Sequence, residues 1–357
     1  MNAGDQGDKG GHDGEGGAVM SAIRRLRASA RGWGGVGAML VACALAALAL
    51  FPLRDAGGSG VTGLGGSGAA QVTYAKADKC EKPEQQSLEP SADESGATIG
   101  EIKARGHLIV GVDQNSYRWG YRDPNSESAS AELEGFDIDL AHEIADEILG
   151  DRPDNIRFRA IPTDQRIPAI RSGQVDMVVR TMTISCRRLG EVAFSAPYFM
   201  TGQQVLAPRG SSVQGYDETL ADQRICAAQG SIALDTLKKD KADGDLVPSA
   251  TIADPVPNQL DCLVRLQLGE VDAVVTDGAL AASQAAQDPT VELKGEPFTT
   301  EYYGVAMRKD ADDLVRRVNQ VLEDYRGSGW QESYDKWLSE TLGEDASKSL
   351  PPPPDYR

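Results

Sequence analysis

Two threonines and two arginines follow a short apolar run, in a pattern suited to holding a carboxylate. Residues 175–179 are apolar except for Asp176 and mostly β-branched, which indicates a buried strand of an α/β sheet. Arg180, Thr181 and Thr183 come directly after it, and Arg188 follows a few residues later. A planar guanidinium offers a carboxylate two parallel charge-assisted bonds, and open α/β folds bind ligands at the carboxyl ends of parallel strands. These residues alone are equally compatible with a strand that ends in a solvated basic turn.

A second segment repeats this arrangement with the opposite chemistry at its end. The heptapeptide GQVDMVV at 173–179 recurs as GEVDAVV at 269–275, and each copy follows an apolar helical segment that ends in glycine. The second copy leads to Asp277, a carboxylate where the first copy has hydroxyls. The two copies predict two similar α/β lobes that face one cleft.

Length and composition exclude several other function classes. A chain of 357 residues is long enough for two lobes of ordinary size. Its net charge of −18 and pI near 4.6, without a basic stripe, argue against a nucleic-acid partner. Its 3 histidines are scattered, so we expect no metal site. Phosphate-binding, dinucleotide and nucleophile-elbow motifs are missing, and we therefore expect no cofactor and no catalytic residues.

The N-terminal part of the sequence predicts a membrane anchor. Residues 1–30 are predicted to be a disordered, cytoplasmic N-terminus, and 22 uncharged residues then separate Arg31 from Arg54. That length spans a bilayer, and the arginines before it place the N-terminus inside. The segment LVAC within 31–54 also makes Cys43 a possible lipidation site. We expect a signal anchor, or alternatively a lipoprotein signal, that holds the protein on the extracytoplasmic face of the cell membrane.

Several short segments together resemble one known family. They are GFDIDLA at 135–141, RIPA at 166–169, TMTI at 181–184 with Arg188, FSAPY at 194–198, GS at 230–231 and VDA at 271–273. In this order they are similar to the family-3 extracytoplasmic solute-binding proteins, the polar amino-acid receptors of ABC importers. The resemblance covers about 99–342 and is specific only in combination.

The resemblance implies the α/β, two-lobed type II periplasmic-binding-protein fold. That fold has two mixed sheets flanked by helices, a cleft between them and a two-strand hinge. We expect a linker at 55–98, a first lobe from 99–204 plus 300–342, a second lobe from 205–299, and a disordered tail at 343–357.

The resemblance also assigns roles to the strand-end residues. It implies that Arg188 grips the ligand's α-carboxylate with support from Thr183. Asp277 and the carbonyl of Thr181 would then meet the α-ammonium. Arg166 stands in Q-R-I-P, where aspartate and glutamate receptors have an N-R-I-P arginine that meets the second carboxylate. The alternative for Arg166 is a solvated arginine at a helix start.

Further candidates stand at strand ends or at a helix start. An aromatic side chain there could cover the ligand's aliphatic part or could plug the core, and exposed N–H groups at a helix start can bind an anion. These candidates are Asp113, Tyr117, Trp119, Arg180, Gly230 and Ser231.

Four cysteines lie beyond the predicted anchor. An even number in an oxidising compartment suggests two disulfides, with three possible connectivities. Cys226 and Cys262 fall in the same predicted lobe, so we pair them, which leaves Cys80 with Cys186.

The predicted function is solute binding for an amino-acid ABC importer. Because the cleft offers several arginines, we expect an acidic amino acid, glutamate and then aspartate, to bind between two closing lobes. The expected partners are the importer's permease subunits, and the protein is expected to be a monomer. The alternatives on the same fold are a cyclohexadienyl-dehydratase-like enzyme and a ligand-binding sensor ectodomain.

Overall fold

The computed structural model describes residues 80–123 and 132–357, which belong to one compact unit, Lys76–Arg357. The predicted cytoplasmic N-terminus, the anchor, Cys43 and most of the predicted linker lie outside the described residues. In the part that is described, no helix is long and apolar enough to cross a membrane.

Strands and helices alternate through most of the described chain. The strands are β1 Leu108–Val112, β2 Asn115–Ser116, β3 Gly120–Arg122, β4 Leu133–Glu134, β5 Ile156–Ala160, β6 Met177–Val178, β7 Ala193–Phe194, β8 Phe199–Thr201, β9 Gln203–Pro208, β10 Arg224–Cys226, β11 Thr251–Ile252, β12 Ala273–Asp277, β13 Val291–Lys294, β14 Glu301–Tyr303 and β15 Ala306–Met307. The α-helices are α1 Ala97–Arg105, α2 Phe136–Leu149, α3 Arg166–Arg171, α4 Cys186–Leu189, α5 Ile232–Asp243, α6 Gln259–Gln267, α7 Gly278–Gln287, α8 Asp312–Tyr325, α9 Gly329–Trp337 and α10 Ser339–Leu342.

Two mixed sheets form the centres of two lobes. The first sheet has the order β5-β1-β6-β15-β7, and the second has the order β11-β10-β12-β9-β13. In the first sheet β1 pairs in parallel with β5 and β6, and β15 pairs antiparallel with β6. In the second sheet β10 pairs in parallel with β12, and β9 pairs antiparallel with β12. We call the first sheet with its helices the first lobe, and the second sheet with its helices the second lobe.

Both faces of each sheet are buried, which explains why the central strands read as continuous apolar runs. In β6, Met177 packs into the core on one face while Val178 packs into the core on the other. In β12, Ala273 and Val275 pack on one face and Val274 packs on the opposite face. Side chains alternate along a strand, so a sheet covered on both sides needs apolar residues at successive positions.

A two-stranded ribbon joins the lobes. Strands β8 and β14 pair antiparallel, with Glu301 opposite Thr201 and Tyr303 opposite Phe199. The chain passes from β8 straight into β9 of the second lobe, and it returns through β14 to β15 of the first lobe. The predicted fold class, with two mixed sheets and a two-strand hinge, is confirmed.

The repeated heptapeptide occupies equivalent places in the two lobes. Gly173 follows α3 with φ of 69°, and Gly269 follows α6 with φ of 69°. This left-handed conformation suits glycine and ends each helix before its strand.

The C-terminal segment differs from the prediction of a disordered tail at 343–357. The main-chain carbonyl of Ser349 accepts a 2.7 Å hydrogen bond from an N–H of β8. Arg326 donates to the carbonyl of Pro351 at 2.6 Å. An arginine that directly follows α8 can therefore fix, through a proline carbonyl, a proline-rich segment that composition alone suggests is free.

The start of the described chain also lies on the first lobe. Ser87 donates its hydroxyl to the carbonyl of Phe194 at 2.9 Å, and its own carbonyl accepts from the N–H of Arg357 at 3.1 Å. Both predicted disulfides are present: Cys80 to Cys186, with Cα atoms 5.7 Å apart, and Cys226 to Cys262, at 5.6 Å.

Candidate functional site

Arg188 points from α4 into the space between the lobes. Its Nη1 donates to the carbonyl of Thr183 at 2.7 Å and its Nη2 donates to the carbonyl of Gly230 at 3.0 Å. The side chain is buried. Burial, followed by the charge of Arg187, lowers the pKa of Arg188 to about 10, so it is a cation at neutral pH.

Arg166, at the first position of α3, is buried beside it. It donates to the carbonyls of Thr163 at 2.8 Å, Arg180 at 3.2 Å and Gly230 at 3.4 Å. Burial, then the charges of Arg188 and Arg180, lower the pKa of Arg166 well below its usual value. A guanidinium still remains protonated in proteins, so these neighbours make the cation costly without removing it. The alternative of a solvated helix-start arginine is wrong.

Arg166 and Arg188 share one unusual property. Within residues 80–123 and 132–357, neither guanidinium forms an ion pair, and every hydrogen bond found for them goes to a main-chain carbonyl.

Gly230 is the point at which the second lobe meets both arginines. Its φ is 75°, and a Cβ built on it would lie 2.8 Å from the Cα of Asp164 in the first lobe. The lobes also meet where the N–H of Thr163 donates to the carbonyl of Pro257 at 3.1 Å. Arg187 pairs with Asp235 across the same gap at 2.6 Å. The two lobes are therefore closed on each other along this edge.

Two of the predicted ligand contacts are paired with each other instead. Arg180, fully buried, forms an ion pair with Asp113 at 2.9 Å between Nη2 and Oδ2. Arg180 also donates to Thr163 and to Asn258, at 3.1 Å each. The expectation that Arg180 adds a free positive charge is thus corrected, because Asp113 neutralises it.

Asp277 ends β12 on the opposite side of the cleft, as predicted. Tyr303 donates its hydroxyl to Oδ2 at 2.6 Å, and the Gln203 amide donates to Oδ1. Burial raises the pKa of Asp277, against the effect of these hydrogen bonds and of Arg166 and Arg188.

Glu301 is a buried acid of this site that the sequence prediction missed. Its Oε1 accepts from the same Gln203 amide at 3.0 Å, and its Oε2 lies 2.8 Å from the hydroxyl of Thr183. Burial, then the charge of Asp277, raise the pKa of Glu301 to about 7. In the sequence, Glu301 is recognisable only as the single charged residue of β14, and nothing near it in the sequence indicates which residues it contacts.

Thr181 is held in place by a second missed acid. Its φ is 42°, in the left-handed region that threonine rarely adopts. The carboxylate of Asp137 accepts from the N–H of Thr181 at 3.0 Å and from the hydroxyl of Tyr198 at 2.8 Å. Burial raises the pKa of Asp137 to about 7. Asp137 lies in the first turn of α2 and fixes the backbone whose carbonyl is assigned to the ammonium.

The two aromatic candidates pack against other aromatic side chains. Trp119 is fully buried in the first core, 4.8 Å edge-on to Phe199 and 5.8 Å from Tyr303 between ring centroids. Trp119 is therefore a core plug, which was one of its two interpretations. Tyr117 is half-buried and packs against Tyr121 at 5.1 Å.

Ser231 has a capping role. Its hydroxyl accepts a hydrogen bond from the N–H of Leu234 at 3.1 Å and donates one to the carbonyl of Ala228 at 2.6 Å. Ser231 is thereby the N-cap of α5. Both bonds stay within the second lobe, so Ser231 shapes the turn that presents Gly230.

A cavity of about 740 Å³ opens from this edge to the outside. Arg166, Met182 and Arg188 line it from the first lobe, and Gly230 and Leu234 from the second. No group of three or more potential metal ligands occurs within 80–123 and 132–357. The arrangement offers charged hydrogen-bond partners for a small polar ligand.

The chain matches a family model described as bacterial extracellular solute-binding proteins, family 3, over residues 108–340. The ABC transporter glutamine-binding protein GlnH of Bacillus subtilis is 32% identical over 257 residues, which cover 72% of this chain and 90% of that protein. The glutamate-binding protein GluB of Corynebacterium efficiens is 29% identical over 255 residues, covering 68% and 80%.

Solved structures agree with this match. The solute receptor for L-cysteine of Neisseria gonorrhoeae has a TM-score of 0.64 at 25% identity, covering 72% of this chain and all of that one (100%). An ancestral arginine-binding protein bound to arginine has a TM-score of 0.58 at 34% identity, covering 66% and 99%. These relatives are amino-acid-binding proteins with the two-lobed fold described above. This chain belongs to the family-3 bacterial extracellular solute-binding proteins.

Proposed function

We propose that this protein is the extracytoplasmic binding component of an ABC importer and that its ligand is an acidic amino acid. Glutamate is the expected ligand, with aspartate next. It binds between the two lobes and holds them closed, and the importer's permease subunits receive that closed form. The protein acts from the outer face of the cell membrane, held by its N-terminal anchor.

The observation that carries this proposal is the pair of guanidinium groups without an anionic partner. Arg166 and Arg188 are both buried, and among the described residues neither meets a carboxylate. A buried unpaired charge is expensive, and each guanidinium matches a carboxylate in a two-bond geometry. A ligand with two carboxylates satisfies both: Arg188 takes the α-carboxylate, with Thr183, and Arg166 takes the side-chain carboxylate.

The opposite end of the site suits an ammonium group. Asp277 is buried and oriented by Tyr303 and Gln203, so its charge lacks a full counter-charge in its immediate surroundings. An α-ammonium supplies that charge, with the carbonyl of Thr181 as a further acceptor. Two cations at one end and an acid at the other match an amino acid that carries a net negative charge.

Relatives named for glutamine and for glutamate both match this chain, so the family does not decide between them. The arginines favour the acid. An amide ligand would leave Arg166 with a neutral partner, and a cationic ligand would meet two like charges. Losing one charge-assisted pair costs about 1.5–3 kcal/mol, so glutamine is expected to bind about tenfold to a hundredfold more weakly than glutamate.

The enzyme alternative loses support from the same geometry. An enzyme would need an acid or base near the cleft, and Asp113, the carboxylate that directly follows β1, is buried in an ion pair with Arg180. A carboxylate that is buried in an ion pair with an arginine is not available to accept a proton from a substrate.

Calorimetry with glutamate, aspartate, glutamine and arginine tests the proposal. Arg188→Met should weaken every ligand, because all of them carry an α-carboxylate. Arg166→Met should weaken glutamate by about tenfold or more and leave glutamine nearly unchanged, since only the acid pairs with it.

Arg171→Met is the matched control. Arg171 lies on the same helix and lines the outer part of the same cavity, but its side chain is 63% exposed and is already paired with Glu191 at 3.2 Å. It should change neither affinity. Equal affinity of the wild type for glutamate and glutamine, or a larger loss from Arg171→Met than from Arg166→Met, would contradict the assignment of the arginines.

A further inference from the structure

The hydroxyl of Thr183 is needed in two places. In the proposed function, on which this inference rests, Thr183 donates to the ligand's α-carboxylate beside Arg188. In the structure its Oγ1 lies 2.8 Å from Oε2 of Glu301. A threonine hydroxyl has one proton and so can donate only once.

The position of the protons on these two side chains therefore decides what Thr183 can do. If Glu301 is an anion, the Thr183 proton must lie toward it, and only lone pairs remain for the ligand's carboxylate. If Glu301 is protonated, it can donate to Thr183, and the Thr183 proton is then available to the ligand.

We propose that Glu301 acts as a neutral carboxylic acid in the ligand-bound protein and thereby directs the Thr183 hydroxyl proton onto the ligand's carboxylate. Glu301 is then a positioning residue, since it reaches the ligand only through Thr183. Binding of an amino acid at this site retains, and above neutral pH takes up, one proton.

The surroundings of Glu301 favour this state. From β9, Gln203 donates its amide to Oε1, and the same amide serves Asp277 at the end of β12. One amide nitrogen, with its two protons, thus bridges the two carboxylates and holds them close together. Two neighbouring acids do not readily ionise together. The ligand's ammonium keeps Asp277 ionised, which leaves the proton on Glu301.

The other groups facing Glu301 are few. Thr299 donates to Oε1 at 3.3 Å, and Tyr303 lies on the same strand with its hydroxyl on Asp277. Arg188, on α4, is the cation whose charge acts against protonation. Burial and Asp277 outweigh it, because the pKa of Glu301 is raised to about 7.

The sign of the pH dependence follows. A ligand that requires neutral Glu301 raises its pKa further in the complex. Affinity is therefore highest below about pH 7 and falls as pH rises through the range between the two pKa values, by up to about tenfold per pH unit for one proton.

Calorimetry of the full-length protein with L-glutamate tests this between about pH 6 and about pH 8.5, in two buffers with different ionisation enthalpies. The wild type should take up a fraction of a proton on binding at the upper end and lose affinity there. Glu301→Gln keeps a donor for Thr183 and cannot titrate. Its affinity should stay within about threefold of the wild type at low pH, with no pH slope and no proton uptake.

Two further variants separate this role from a structural one. Thr183→Val removes the shared hydroxyl, so it should lower affinity about tenfold at low pH and flatten the slope as well. Glu296→Gln is the control, because Glu296 is exposed in the same return segment, and it should keep the wild-type slope.

Proton release on binding, or affinity that rises with pH, would overturn the inference, since Glu301 would then serve as an anionic partner of the ammonium. A slope that persists in Glu301→Gln would overturn it too. If another amino acid binds in place of glutamate, the experiment runs with that ligand, because every amino acid carries the α-carboxylate. If no amino acid binds at any pH, the proposed function fails and this inference fails with it.

Discussion

At the scale of single residues, the three buried arginines of the cleft differ in what neutralises them. Arg180 has Asp113 at 2.9 Å, whereas Arg166 and Arg188 have only carbonyls. The same residue type therefore has a structural role in one case and an available charge in the other two. The difference lies in the partner and not in the burial, since all three are almost inaccessible.

The Asp113–Arg180 pair gives a stability prediction. Asp113→Asn retains the oxygen that accepts from the N–H groups of Gln114 and Asn115, but it leaves Arg180 buried without an anion. We expect the free energy of unfolding to fall by about 3–5 kcal/mol, the usual cost of breaking a buried pair. Denaturant titration measures it.

The double variant Asp113→Asn/Arg180→Met should recover most of that loss, because it removes the uncompensated charge. If the loss of stability in the double variant equals the sum of the losses in the two single variants, the two side chains do not stabilise each other.

Part of the candidate site could be predicted from sequence, because its polar side chains follow strands that the sequence indicates. Arg188, Thr183 and Asp277 follow recognisable strands, and they lie where the repeated heptapeptide placed them. Glu301 and Asp137 could not be assigned, because their roles depend on residues far away in the sequence: Thr183 lies 118 positions from Glu301, and Tyr198 lies 61 positions from Asp137. No local pattern indicates such a pairing.

At the scale of elements, hydrophobic pattern predicted the helices and strands well. The apolar residues of α2 are buried, since helical spacing directs them to one side. Helix ends depend on single residues: α5 extends to Asp243, where Gly244 with φ of 85° ends it. The fixed position of the proline-rich tail was missed because it depends on Arg326, which directly follows α8.

The turn before α5 gives a prediction about closure. Gly230→Ala adds a methyl group to a left-handed residue and brings it 2.8 Å from the Asp164 backbone of the other lobe. Affinity for the ligand should fall by about tenfold or more, because the closed form must shift to accommodate the methyl group. Calorimetry measures the affinity and thermal unfolding the stability.

Gly269→Ala is the matched control in the same lobe. Gly269 has φ of 69° and nothing within 4 Å of the added Cβ, so the backbone strain is similar and the clash is absent. Both variants should lose about 1 kcal/mol of stability, and only Gly230→Ala should lose affinity. Equal losses of affinity would show that strain, and not contact between the lobes, is responsible.

At the scale of the whole molecule, the contacts across the cleft belong to one closed arrangement. The hydrogen bond from Arg188 to Gly230 and the Arg187–Asp235 pair both join the first lobe to the second. The surface pair is about half exposed and contributes little by itself. We therefore expect closure to depend on a ligand that engages both sides.

Small-angle scattering of the fragment that begins at Lys76 should show a smaller radius of gyration with saturating glutamate than without it. Only the closed form makes contacts from both lobes, so binding shifts the population toward it. Arg188→Met should show no change at the same ligand concentration. An unchanged radius in the ligand-saturated wild type would mean that binding occurs without closure.

The disulfide between Cys80 and Cys186 has a mechanical consequence. Tension in the preceding chain would enter the fold through Cys186, in the first lobe. That path ends before the hinge strands β8 and β14, because Cys186 precedes both in the chain and lies in α4. Force applied to the chain before Cys80 would therefore be taken up by the first lobe at α4, and it would reach the second lobe directly through the contacts that Arg187 and Arg188 make there.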